Sequence, residues 1–120
     1  MSMTFLEANA AITGPGQIFE LIDAEVRGVK TRVFKNAPTH LGQLFAGSRA
    51  HGDKPFLVYE NETFTFTQAM DRIDALASLL VNTYGVKKGD RVAVAMRNFP
   101  EWVMSFVAII SVGAINVSMN

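Results

Sequence analysis

Gly89-Asp90-Arg91-Val92-Ala93-Val94-Ala95-Met96-Arg97-Asn98-Phe99-Pro100-Glu101-Trp102 is the stretch whose reading decides the fold. Gly89-Asp90 reads as a turn, and Arg91 to Met96 as an apolar strand. Asn98-Phe99-Pro100-Glu101 has capping-box spacing, with Asn98 as N-cap, Pro100 in the first turn and Glu101 facing the positive dipole end. Trp102–Val112 continues as a helix, in which Trp102, Phe106, Ile109 and Ile110 form a core stripe. Gly113 stands where a residue just past a helix takes left-handed geometry. Ala114–Met119 alternates and is rich in β-branched residues, as a buried parallel strand is. Residues 91–119 therefore read as strand, helix, strand: one parallel βαβ unit with an expected right-handed crossover.

That stretch also carries the argument about membranes. Every charged residue lies in positions 1–101, and Trp102 to Asn120 has none, which by length alone admits a transmembrane helix. Ser105, Ser111, Gly113, Asn116 and Ser118 interrupt it, and its texture changes at Gly113, so a buried helix feeding a buried strand fits better. The start, Met1-Ser2-Met3-Thr4-Phe5-Leu6-Glu7, has no cationic region and no long apolar run, unlike a signal peptide. A cytoplasmic chain without a transmembrane segment is expected.

Composition narrows the classes further. A chain of 120 residues fits one domain, and a hydrophobic fraction of 49% is enough for a core. Lysine plus arginine, at 11, balance 11 acidic residues, so no broad cationic face exists to bind nucleic acid. The absence of cysteine excludes disulfides, zinc–thiolate sites, iron–sulfur clusters and thiol catalysis.

Toward the amino terminus the pattern is looser. Residues 1–16 read as irregular, ending in the breaker Gly14-Pro15-Gly16. Ile18 to Lys35 reads as a hairpin turning at Arg27-Gly28. Pro38 introduces a short helix with Thr39 as N-cap and Leu41, Leu44 and Phe45 on one face, weakened by Gly42 and Gly47. Phe56–Tyr59 and Thr63–Phe66 form a second hairpin around Glu60-Asn61-Glu62. Thr65-Phe66-Thr67-Gln68 is another capping box, opening a helix with Ala69, Ile73, Leu76, Ala77, Leu80 and Tyr84 on its apolar face and stopping at Gly85. Three helices result, near 39–50, 66–84 and 99–112.

No residue set forms a self-contained active site by these patterns. His40 and His51 are the only histidines, and His51-x-Asp53 is a weak pointer to metal. Asp71 and Asp74 share a helical face, as an acid/base pair does, yet they flank Arg72 on what reads as a solvated side. The turn after strand 91–96 lacks every glycine of the dinucleotide fingerprint, and no Walker pattern occurs. Glu101 is explained by capping. The sequons at Asn61 and Asn116 carry no weight without a secretory signal.

Residues 89–102 with Gly113-Ala114 resemble the AMP-forming acyl-CoA synthetases of the adenylate-forming superfamily. Thr65-Phe66-Thr67-Gln68 with Ala75-Leu76-Ala77 is similar to a helix that recurs in that family. Gly14-Pro15-Gly16, Phe19-Glu20-Leu21 and Val33-Phe34-Lys35-Asn36-Ala37-Pro38 look like the opening of some bacterial fatty-acyl members. Ser118 stands where the family often has proline, and Gln68 where it often has glutamate. The resemblance implies an α/β fold: an incomplete amino-terminal subdomain of an adenylate-forming enzyme, with two short hairpins, about three helices and the βαβ unit. It implies an extension over 1–50, holding the hairpin and short helix, and over 51–120 the start of the large AMP-binding domain.

By that resemblance the parent activates a carboxylic, expectedly fatty, acid with ATP as an acyl-adenylate and transfers it to coenzyme A. ATP, magnesium and coenzyme A are implied for the whole parent. Its phosphate loop, magnesium motif, ribose-binding aspartate and catalytic lysine cannot be placed on residues 1–120, so no catalytic, cofactor-binding or metal-binding residue is expected here, and no activity from this chain alone. Expected partners are the remainder of the synthetase chain and a second copy of this one, since the strands 91–96 and 114–119 need neighbours that the sequence does not contain. The alternative reading is a stand-alone oligomerising interaction module without catalysis.

Overall fold

A computed structural model describes residues 3–119, and residues 1, 2 and 120 lie outside that description. The chain forms two compact units, Met1–Thr39 and His40–Asn120. The expected boundary at 50 falls inside the second of these, because the short helix before it packs on the second unit's last helix.

The first unit begins with α1 (Phe5–Thr13), a helix in a segment expected to be irregular. Its origin is local: Glu7 accepts from the Thr4 N–H at 2.8 Å, and the Thr4 hydroxyl accepts from the Glu7 N–H at 3.3 Å. Gly14 closes the helix, its N–H donating to Ala10 O. The helices thus number four among the described residues, against the three expected.

The hairpin follows as expected, β1 (Leu21–Val26) antiparallel to β2 (Val29–Phe34). Arg27 and Gly28 both take positive φ, 53° and 82°, the turn whose twist matches the strands it joins. Register places Asp23 opposite Arg32 and Glu25 opposite Lys30 on one face, and Ile22, Ala24 and Val26 opposite Val33, Thr31 and Val29 on the other. No described residue of this unit is buried.

At the base of the hairpin Lys35 donates to Glu20 at 2.9 Å, and the Gly16 N–H donates to the other carboxylate oxygen at 2.9 Å. These bonds, Lys35 first, hold the Glu20 carboxyl below the usual glutamate range. A depressed carboxylate stabilises the closed form above its unfolded pKa, and that contribution is lost as pH falls through the folded value. By NMR titration, Glu20 is expected to have a midpoint below that of an unstructured glutamate, and Lys35→Met should raise it. An unchanged midpoint in that variant would mean the ion pair does not form in solution.

The second unit begins with α2 (Leu41–Ala46), continued by a 3₁₀ turn over Gly47–His51. Its N-cap is His40, not Thr39: the imidazole Nδ1 accepts from the Gln43 N–H at 3.1 Å. Next come β3 (Pro55–Tyr59) and β4 (Glu62–Thr65), an antiparallel hairpin with a register shift between Pro55 and Leu57. The strand ends at Thr65 because Thr65 is already a cap. Its hydroxyl accepts from the Gln68 N–H at 3.2 Å while Gln68 Oε1 accepts from the Thr65 N–H at 3.0 Å, and α3 (Phe66–Asn82) starts there.

The remainder is β5 (Arg91–Ala95), α4 (Pro100–Ser111) and β6 (Ile115–Met119), with β5 parallel to β6. This is the βαβ unit read from the sequence. Its cap differs: Phe99 is the N-cap, and no side-chain bond from Asn98 closes the helix. Trp102 N–H donates to Phe99 O at 3.0 Å, and Pro100 occupies the first helical position, where a missing N–H costs nothing. An Asn98→Ala substitution therefore removes no cap.

The core lies between α3 and α4. Met70, Ile73, Val107 and Ala108 are buried, and Phe64 of β4 closes one end. Each large side chain there contributes roughly 1.5–3 kcal/mol by leaving water. A second cluster of Val94, Ile109 and Ala114 joins α4 to the parallel pair. Within the expected stripe of α4 only Ile109 is buried, while Trp102 and Phe106 stack at 5.8 Å on its flank. Tyr84 lies beyond α3 and is exposed.

Candidate functional site

Chain turns stitch the amino ends of β5 and β6 together. The Asp90 carboxylate accepts from the Lys87 N–H at 2.8 Å, the Gly89 N–H donates to Gly113 O at 2.9 Å, and the Ile115 N–H donates to Asp90 O at 2.7 Å. The two strands run paired in register to their carboxyl ends, Ala95 beside Met119. In open α/β sheets this is where ligands bind.

A crevice of about 640 Å³ opens there, lined by Ala95, Met96, Arg97, Asn98 and Met119. Arg97 and Asn98 occupy the crossing from β5 to α4, tightened by a 2.7 Å bond from the Phe99 N–H to Arg97 O. Both residues are exposed and share the lining with Met96 and Met119. The set supplies a fixed cation and an amide beside an apolar wall. It can orient the polar end of an amphipathic ligand, but its lining contains no nucleophile and no carboxylate base. A cleft of about 120 Å³ adjoins through Asn98, roofed by Tyr59 edge-on to Phe99 at 5.5 Å.

The structure disperses the other candidates. His40 caps α2, and His51 lies 4.7 Å from the Phe66 ring. Asp74 accepts both bonds of Arg49, at 2.7 and 2.8 Å, across the surface of α3, while Arg72 lies 4.5 Å over the Phe64 ring. Asp71 and Glu101 are exposed. Asn61 lies in the β3–β4 turn, and Asn116 lies in β6. Among the described residues no three His, Asp or Glu side chains converge as a metal site would require. No helix among the described residues is long and apolar enough to cross a membrane.

Sequence reasoning passed over Arg97 and Asn98 as crevice residues, treating Asn98 only as a cap. The usable signal was their position directly after the first strand of a βαβ unit.

An α/β unit with a crevice at the carboxyl ends of its parallel strands fits a nucleotide-handling enzyme class, and comparison identifies which. Residues 44–120 match the family model described as AMP-binding enzyme, and the chain belongs to that family. It is 37% identical over 73 residues to acetyl-coenzyme A synthetase 2 of Candida glabrata, covering 56% of this chain and 10% of that protein. It is 33% identical over 93 residues to the long-chain-fatty-acid–CoA ligase of Escherichia coli O157:H7, covering 77% of this chain and 17% of that one. Among solved structures, Klebsiella oxytoca NpsA in complex with 3-hydroxyanthranilyl-AMSN superposes with a TM-score of 0.66 at 26% identity, covering 70% of this chain and 17% of that one. The O-succinylbenzoate coenzyme A synthetase of Bacillus subtilis, in complex with AMP, gives a TM-score of 0.59 at 26% identity over 63% of this chain and 20% of its own. Isolated amino-terminal subdomains of NpsA match as well, at TM-scores near 0.64. The fold is that of the amino-terminal subdomain of adenylation enzymes. The chain spans 10% to 17% of the length of these curated relatives.

Proposed function

We propose that these residues are the amino-terminal part of an ATP-dependent acyl-CoA synthetase acting on a fatty acid. In that enzyme the acid's carboxylate displaces pyrophosphate from ATP, and the thiol of coenzyme A then displaces AMP from the acyl-adenylate. ATP, magnesium and coenzyme A are bound by the longer protein, in the cytoplasm, and none by residues 1–120. The observation that carries this reading is the coincidence of the family match, 44–120, with the unit His40–Asn120 built on β5–α4–β6. The sheet supports it too: Ile115, Val117 and Met119 on one face of β6 stay 47%, 38% and 51% exposed, although strands of parallel sheets are covered on both faces. A scaffold that awaits further elements has this surface.

The same surface favours the second reading, an oligomerising module without catalysis. ATP–pyrophosphate exchange tests the assignment of this chain. Purified residues 1–120 with ATP, magnesium and acids from acetate to palmitate are expected to show no exchange above background. Exchange with any of them would place an adenylation site on these residues and overturn their assignment as scaffold.

A further inference from the structure

We draw no further inference here: the strongest candidate, the apolar face of the β1–β2 hairpin on which Ile22, Val26 and Val29 stay exposed outside the residues matched by the family model, carries nothing, because nothing in the structure shows what covers it.

Discussion

Met70→Ala is expected to lower the stability of the second unit by about 2–5 kcal/mol, the largest loss of any substitution considered. Met70 is 2% exposed and sits between α3 and α4 with Ile73 and Val107, in the main cluster of the unit's core. Removing the thioether leaves a cavity lined by neighbours that cannot all collapse into it, since α3 is fixed at one end by the Thr65–Gln68 box and α4 by its packing on the sheet. Small domains have only about 5–15 kcal/mol in hand, so the loss is a large fraction of the total. Urea unfolding followed by circular dichroism should show the midpoint falling with little change in slope. An unchanged midpoint would mean that the α3–α4 contact is not the unit's core.

Gly113→Ala should be the second most damaging change, at about 1–3 kcal/mol. Gly113 has φ +79°, which an L side chain rarely adopts, and a Cβ there would come within 3.1 Å of Lys88 Cγ. The residue also accepts the Gly89 N–H, so strain at this point loosens the turn that aligns β5 with β6. Gly47→Ala is the matched control: its φ is −61°, nothing lies within 4 Å of the added carbon, and it should be neutral or stabilising by about 0.4–1 kcal/mol. Thermal melts of the two variants decide this. Equal melting temperatures would mean that the Gly113 turn is not held in its left-handed conformation.

Much of the fold was legible because it is written in short-range chemistry. The Thr65–Gln68 box, the Arg27-Gly28 turn and the apolar run of residues 91–96 after Gly89-Asp90 each specify their structure within a few residues. The α1 helix was equally legible through Thr4 and Glu7, but the Gly14-Pro15-Gly16 breaker drew the reading of the whole segment toward coil. The caps at His40 and Phe99 were each placed one residue too early. Histidine seldom serves as an N-cap, and a proline at the first helical position lets the helix begin without a side-chain acceptor. Met70 escaped the core because it lies beside the Ala69–Ile73 stripe and is buried only when α4 covers it. The Arg49–Asp74 pair links residues 25 positions apart and has no local signature. The crevice of Arg97 and Asn98 belongs to the same class: its residues are ordinary, and only the parallel pairing of β5 with β6 brings Met119 beside them.

By the function proposed above, this unit belongs to an enzyme that forms acyl-CoA by way of AMP. The most direct measurement uses the longest protein that carries these residues, supplied with ATP, magnesium, coenzyme A and fatty acids of graded length, with AMP and thioester quantified together. The expected result is one AMP released for each acyl-CoA formed, with ADP absent and the reaction dependent on the acid. Release of ADP in place of AMP, or no thioester with any acid in a folded protein, would contradict the claim.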